Sequence, residues 1–284
     1  MILIANRWYK WRWMNATGQR LAAATKKRLL AMTDLWLVVL ASFLAGIMDA
    51  MVGGGGLVTV PALLSTYPAL PPSLLLGTNK CSSVFGTAVA ALRYAQRVRL
   101  DWAWLLPAAL VAFAGSWLGA WTLTRTDPQL LRKLLPLILL FVLLYTLMHR
   151  QFGMLHSPLR SQRVRLLLAM AIGGLIGWYD GFFGPGTGSF FIFLLIRLLG
   201  VDFLHASASA KVLNAASNLA AVLLLAATGH VWWQVGLAMA AANVAGSLLG
   251  TALALRHGAV LVRRVFIVMV ILLIIKAGWQ AYVP

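Results

Sequence analysis

The chain is divided into apolar segments whose lengths strongly limit the folds that it can adopt. Short basic loops separate these segments, which cover residues 35–67, 72–96, 102–124, 134–149, 166–200, 203–228, 231–255 and 260–281. A helix of about 20 apolar residues crosses a lipid bilayer, and most of the segments reach that length. Because 61% of the residues are hydrophobic and only 11% are charged, a soluble globular domain is excluded. The sequence therefore predicts an all-α polytopic membrane protein.

Two of the segments are too long to be single membrane-spanning helices. A continuous helix over residues 35–67 would be about 50 Å long, whereas the hydrocarbon core is about 30 Å thick. This segment contains four consecutive glycines at 53–56, and segment 166–200 contains Gly-Pro-Gly-Thr-Gly at 184–188. Such runs interrupt a regular helix. Each long segment is therefore predicted to be a broken helix whose second part, of about 11 to 13 residues, is a half-helix or a re-entrant piece.

The two broken segments belong to an internal repeat. A shift of 131 residues superposes Asp49 on Asp180 and Lys80 on Lys211 without a gap, and the register extends over further tryptophan, glycine and arginine residues. The sequence thus predicts two homologous repeats of about four transmembrane helices, each opening with a Gly-broken segment. Paired breaks of this kind point to the binding site of a transporter. The predicted parts are a basic aromatic arm (1–34), the first repeat (35–149), a basic connecting loop (150–165) and the second repeat (166–281).

Four ionisable residues lie deep within the predicted membrane segments. They are Asp49 and Lys80 in the first repeat and Asp180 and Lys211 in the second. Each such charge costs about 2.5–3.5 kcal/mol at the centre of a bilayer, so it needs a partner or a function. The lysines are predicted to be buried and functional rather than to extend toward an interface. For the aspartates two alternatives stay open: a structural carboxylate that caps a half-helix or pairs with a lysine, and a carboxylate that carries a coupling proton.

The same regions contain the groups that a small anion needs. Polar side chains lie beside both lysines or follow them along one helical face, as in the stripe Ser207, Lys211, Asn214 and Asn218. Backbone N–H groups freed by the glycine runs, and the positive N-terminal end of each following half-helix, also attract anions. The predicted substrate-binding residues are Lys80, Lys211, Gly53, Gly54, Gly55, Gly56, Gly184, Gly186, Gly188, Asn79, Ser83, Asn214 and Asn218, with Asp49 and Asp180 as coupling or ion-pair residues.

Charge and residue usage argue against several other classes of protein. The formal net charge is +18, but most of the basic residues lie in loops and in the N-terminal arm, where anionic lipids and the positive-inside rule account for them. Nucleic-acid binding is therefore not expected. If the repeats are parallel, a cytoplasmic N-terminus places most loop charges inside, which favours that orientation. One cysteine, and histidines without paired spacing, predict no metal site and no cofactor, and the sequence has no Ser-His-acid set that would indicate an enzyme.

Four motifs resemble those of a known family. They are GIMDAMVGGGGLVTVPALL at 46–64, LGTNKCSS at 76–83, GWYDGFFGPGTGSF at 177–190 and ASAKVLNAASN at 208–218. They resemble the TauE/SafE family of sulfite exporter-like membrane permeases, and within it the YfcA-like branch. The resemblance covers about residues 33–281 and implies an inner-membrane permease of two repeated modules. It also implies a substrate among sulfite, sulfonates and related organic or sulfur oxyanions, without indicating which one.

The residues and the resemblance together predict a secondary transporter that moves a small anion by alternating access. Two lysines and two carboxylates sum to zero charge, so the binding of a divalent anion favours uptake of protons by the carboxylates. Proton coupling is therefore part of the prediction. An anion channel and an intramembrane lipid-modifying enzyme stay as alternatives. Parallel and inverted repeats, the direction of transport and the oligomeric state are left open.

Overall fold

The computed structural model describes residues 32–131 and 161–257, and the helices that lie wholly within these residues agree closely with the predicted segments. Observed and predicted ends differ by at most four residues. The helices are α1 (Met32–Val52), α2 (Gly56–Thr66), α3 (Pro72–Ala95), α4 (Trp102–Arg125), α5 (Gln162–Phe182), α6 (Thr187–Leu194, continued by the π-helical turn Leu195–Leu199), α7 (Phe203–Ala227) and α8 (Trp233–His257).

Within the described residues the protein is all-helical, and five helices are long and apolar enough to cross a membrane. They are α1, α4, α5, α7 and α8. The predicted all-α polytopic membrane fold is therefore confirmed. The predicted segments 134–149 and 260–281, and the arm before Met32, lie outside the described residues.

Local sequence signals fix where the helices begin. Asp101, Ser161 and Asp202 cap the first turns of α4, α5 and α7, because their side-chain oxygens accept hydrogen bonds from backbone N–H groups of those turns. The helix α3 starts at Pro72, where the missing N–H of proline costs no hydrogen bond. The starts of α4, α5 and α7 lie on one face of the molecule, where residues of all three line one cavity.

The directions of the helices follow from their contacts. Gly77, near the start of α3, lies against Leu225 near the end of α7, and Tyr94, near the end of α3, packs on Ala208 near the start of α7. The helices α3 and α7 are therefore antiparallel. We call the end of the molecule where α3 and α8 begin the proximal face, and the end where α4, α5 and α7 begin the distal face.

Close backbone contacts join α4 to α5 and α8 to α1 in the same way. A Cβ atom added to any of four α4 or α8 glycines would overlap the backbone of the neighbouring helix, so these glycines allow the close approach. The contacts are Gly115 with Gly174, Gly119 with Trp178, Gly246 with Phe43 and Gly250 with Ile47. The 131-residue shift superposes the two α4–α5 contacts on the two α8–α1 contacts. Within each pair of helices the residue numbers rise together from one contact to the next, so the two helices are parallel.

Helices that the 131-residue shift relates run in opposite directions. This holds for α3 and α7, and also for α4 and α8, because α4 ends at the proximal face where α8 begins. At the proximal face the N–H of Trp232, the residue before α8, donates to Thr78 Oγ1 of α3 at 3.0 Å. Of the two arrangements left open, the contacts therefore favour the inverted one. The loop-charge count behind a cytoplasmic N-terminus assumed parallel repeats, so that orientation stays a prediction, as does the homology of the two halves.

Each Gly-broken segment forms a re-entrant helical hairpin. The second arm of one hairpin, α6, returns to the distal face, where Leu195 and Leu199 pack with Ala169 and Ile172 from the first half of α5. The second arm of the other, α2, returns to the proximal face, where the Tyr67 ring lies 5.2 Å from the Trp232 ring between centroids. The hairpins thus enter from opposite faces and bring both glycine runs into the interior.

Candidate substrate site

The two helix breaks are produced by glycines with backbone angles that other residues rarely adopt. Gly53 has φ +84° and its N–H donates to the Asp49 carbonyl at 2.9 Å, which ends α1. Gly184 has φ +97°, and Pro185 after it cannot donate a backbone hydrogen bond, so α5 cannot continue. The chain therefore reverses at both runs, and α2 and α6 begin with their N-termini inside the protein.

The tips of the two hairpins are in direct contact. The Ser189 N–H donates to the Gly53 carbonyl at 3.2 Å, and the Ser189 hydroxyl donates to the Val52 carbonyl at 2.9 Å. A Cβ atom on Gly53 would overlap the backbone of Gly188, and a Cβ atom on Gly188 would overlap that of Gly53. The two breaks predicted as one site thus meet backbone to backbone.

One buried ion pair joins Lys80 of the first half to Asp180 of the second. The Lys80 Nζ lies 2.6 Å from Asp180 Oδ1, and the two side chains are 3% and 2% exposed. The ammonium also donates to Asn218 Oδ1 at 3.1 Å, and the Ser217 hydroxyl donates to Asp180 Oδ2 at 2.7 Å. Both carboxylate oxygens are therefore hydrogen-bonded, as a charge in a low-dielectric interior requires.

A second ion pair joins Lys211 of the second half to Asp49 of the first. The Lys211 ammonium donates to the Asp49 backbone carbonyl, and its Nζ lies 3.6 Å from Asp49 Oδ2. Lys211 is fully buried, whereas the Asp49 side chain is 14% exposed. The Lys211–Asp49 distance is longer than the Lys80–Asp180 distance, and the Asp49 side chain is partly accessible. The two ion pairs related by the shift therefore differ in distance and in exposure.

The remaining predicted residues divide into those near the ion pairs and those that serve the helix starts. Asn214 accepts a hydrogen bond from Asn218 Nδ2 at 3.3 Å, and Asn79 accepts one from the Thr59 hydroxyl of α2. Ser83 is half-buried, and its carbonyl accepts from Thr87 within α3.

The predicted glycines serve the starts of the two short helices. The carbonyls of Gly54, Gly55 and Gly186 accept N–H groups of the first turns of α2 and α6. Gly56 packs against Pro185.

Sequence comparison between the halves missed three polar residues that the structure places at the site. Ser217, Thr59 and Ser189 correspond, at the 131-residue shift, to residues with no polar side chain at all. They are Gly86, Phe190 and Val58, respectively. None of the three lies beside a lysine in the sequence or in phase with one along a helix, so the polar stripes did not include them. Ser207, one turn before Lys211, is also buried, and its hydroxyl has no partner among the described residues.

The fold and the site define a class of protein, namely a polytopic helical membrane transporter in which two re-entrant hairpins meet beside buried ion pairs. The family model described as "Sulfite exporter TauE/SafE" matches residues 38–277. The chain belongs to the TauE/SafE family, as its motifs predicted.

Named relatives support the same class. The chain is 36% identical over 244 residues to a "Probable membrane transporter protein" of Haemophilus influenzae, covering 84% of this chain and 93% of that protein. It is 36% identical over 247 residues to "Probable membrane transporter protein ORF9" of Sinorhizobium sp, covering 87% and 93%. It is 32% identical over 227 residues to "Probable membrane transporter protein YfcA" of Escherichia coli K12, covering 80% and 83%. No solved structure matches the chain.

Proposed function

We propose that the protein is a secondary transporter that moves a small anion across the membrane by alternating access. One observation carries the proposal: both buried lysines pair with an aspartate of the opposite half, beside the tips of the two hairpins. Buried ion pairs are costly in a membrane, and apolar packing serves stability equally well. Charges retained at the ends of broken helices are therefore best explained by a substrate that uses them.

We further propose that the substrate is a sulfur oxyanion or an organosulfonate, such as sulfite. The family description supports this class. So does the site, because Lys80 Nζ lies against the second break, 2.7 Å from where a Cβ atom of Gly184 would be. An ammonium group beside the N-terminal end of a half-helix suits an anion whose charge is spread over several oxygens. The unpartnered Ser207 hydroxyl adds a donor one turn from Lys211.

Proton coupling follows from the neutrality of the site. Each lysine is already balanced by a carboxylate, so an anion gains a free ammonium only when a carboxylate is protonated or moves away. The Lys211–Asp49 pair has the longer distance, so separating its charges costs less than separating those of Lys80 and Asp180. Asp49 is also the more exposed of the two carboxylates. We therefore assign the coupling proton to Asp49. When two halves are inverted relative to each other, each half can adopt the conformation of the other. This exchange converts the state that is open to one side of the membrane into the state that is open to the other side.

Uptake into proteoliposomes tests the transport proposal. Labelled sulfite, thiosulfate, a small sulfonate and acetate are offered with and without an imposed pH gradient. We expect saturable uptake of a sulfur anion by the wild type. We expect it to fall by roughly tenfold or more in the double variant Lys80→Gln and Lys211→Gln, since each lost charge-assisted contact is worth about 1.5–3 kcal/mol.

A charge-balanced variant separates loss of the site from loss of the fold. Lys211→Gln combined with Asp49→Asn leaves no unpaired charge, so it is expected to fold normally and still to transport poorly. Unchanged uptake in the lysine variants would contradict the site. Flux that does not saturate would indicate a channel instead.

Replacing Asp49 by Asn is expected to make uptake insensitive to the pH gradient while exchange of labelled for unlabelled substrate continues. The amide mimics the protonated carboxyl, so the step that takes up a proton is lost, while the Lys211 ammonium no longer faces a carboxylate charge and can still bind the anion. The measurement is the ratio of uptake with and without the gradient. The matched control is Asp127→Asn, an exposed carboxylate at the start of a helix, which should retain the wild-type ratio. A full gradient response in the Asp49 variant would assign coupling elsewhere.

The protein is a multi-pass membrane protein, and we propose that its membrane is a bacterial-type inner membrane. The three relatives named above are bacterial proteins, and helical rather than barrel-forming segments are typical of inner-membrane proteins. The arginines at the helix ends also suit the anionic head groups of such a membrane. Fractionation of bacterial membranes by density is expected to recover the protein with inner-membrane markers.

A further inference from the structure

A cavity opens at the distal face, where α4, α5 and α7 begin. Its volume is about 110 Å³, which has room for a phosphate-sized group with its hydration water. Its walls come from the first turns of the three helices and from the loops before α4 and α7. The lining residues are Arg99, Leu100, Asp101, Trp104, Arg165, Val201, His205 and Ser209.

The cavity contains a guanidinium group with an unused donor. Arg165 binds Asp101 through one terminal nitrogen, with Nη2 to Oδ2 at 2.9 Å. Its Nε is buried and has no hydrogen-bond partner among the described residues. A buried N–H without a partner is unfavourable, so an acceptor that reaches Nε would be bound favourably.

The negative groups at the cavity are already engaged in capping helices. Asp101 Oδ1 accepts the Ala103 N–H of α4 at 3.2 Å while its other oxygen binds Arg165. Asp202 lies 2.5 Å from His205 Nδ1, measured from Oδ2. Partial burial raises the pKa of Asp202, but hydrogen bonds from His205 and from the Leu204 amide outweigh burial and lower it, so this carboxylate stays ionised as a cap.

The positive groups are not balanced to the same degree. Arg99 is exposed at the rim and makes no ion pair in the part of the chain that the structure describes. Three helix N-termini converge here; Asp101 and Asp202 cap two of them, whereas α5 is capped by the neutral Ser161 hydroxyl and adds positive potential at its end. The cavity therefore offers an anion one unpaired guanidinium, one donor without a partner and the N-terminus of α5.

We propose that this cavity binds the phosphate group of an anionic phospholipid. The cavity lies at the ends of membrane-crossing helices, where lipid head groups are found, and basic pockets between such helices are known to hold acidic head groups. Beside it, α4 exposes Trp102, Leu106 and Leu110, which follow one another at four-residue spacing along one helical face. That face provides an apolar track for acyl chains, which a soluble phosphate would not need. Binding here would tie together the starts of three helices and does not depend on the transported substrate.

Native mass spectrometry of the purified full chain tests the proposal, with phosphatidylglycerol and phosphatidylcholine added separately. We expect selective retention of phosphatidylglycerol by the wild type. We expect roughly tenfold weaker retention in Arg99→Gln combined with Arg165→Lys. Lysine keeps the charge next to Asp101 but lacks the Nε–H donor, so the fold is preserved. The matched controls are Arg97→Gln and Arg163→Gln, which remove exposed arginines of the same segments that do not line the cavity.

Three outcomes would overturn the proposal. Equal retention of the two lipids would show that the phosphate charge is not recognised. Equal weakening by the cavity and control variants would show that only the general surface charge matters. Displacement of phosphatidylglycerol by millimolar inorganic phosphate would support the phosphate chemistry but reject a lipid as its source.

Discussion

Replacing Lys80 by Met is expected to lower the free energy of unfolding by about 3–5 kcal/mol, because it leaves a buried carboxylate without its cation. Asp180 is only 2% exposed and accepts the Lys80 ammonium at 2.6 Å, so water cannot take the place of the lysine. The Ser217 hydroxyl still donates to the other carboxylate oxygen, but a neutral hydroxyl does not balance the charge. The measurement is the loss of helical signal on heating or chemical denaturation of the detergent-purified protein.

The double variant decides whether the loss comes from the pair itself. Lys80→Met combined with Asp180→Asn leaves neither charge buried, so most of the lost stability is expected to return. Transport is expected to stay absent, because the ammonium proposed to bind the substrate is gone. Equal instability of the single and double variants would mean that the two side chains do not act as a pair.

Replacing Gly53 by Ala is expected to destabilise the protein by about 2–5 kcal/mol and to abolish transport. The left-handed backbone at φ +84° costs a residue with a Cβ atom about 1–2 kcal/mol. The added methyl group would also overlap the Gly188 backbone, and overpacking of this kind costs about 1–3 kcal/mol. The measurements are thermal stability in detergent and uptake into proteoliposomes.

Two further glycines separate the two contributions. Gly229 has φ +75° but no neighbouring atom within 4 Å of an added Cβ, so Gly229→Ala reports backbone strain alone. Gly188 meets the Gly53 backbone without a positive φ, so Gly188→Ala reports the overlap alone. We expect the Gly229 variant to lose about 1–2 kcal/mol and to keep transport. Equal effects at Gly53 and Gly229 would show that the contact between hairpin tips is unimportant.

The candidate site illustrates which properties can be read from a sequence. The depth of Lys80 and Lys211 within apolar segments predicted that both are buried, and the structure places them at 3% and 0% side-chain exposure. Pairing with a lysine belonged to one of the two alternatives for the aspartates, and the structure shows such a pairing for each. The sequence did not indicate which lysine meets which aspartate. It also left out Ser217 and Thr59, because neither lies beside a lysine in the sequence or in phase with one along its helix.

The class of fold, the ends of the helices and the two breaks can be predicted from the sequence alone. These follow from local causes: apolar length sets a membrane span, capping residues start helices, and glycine runs end them. The opposite directions of helices related by the shift, and the ion pairs between the two halves, become visible only in the packed structure. Lys80 and Asp180 are 100 residues apart and Lys211 and Asp49 are 162 apart, so they meet only when the hairpins pack together. Hydropathy records the environment of each residue but not its partner, and the partner is fixed by packing between helices.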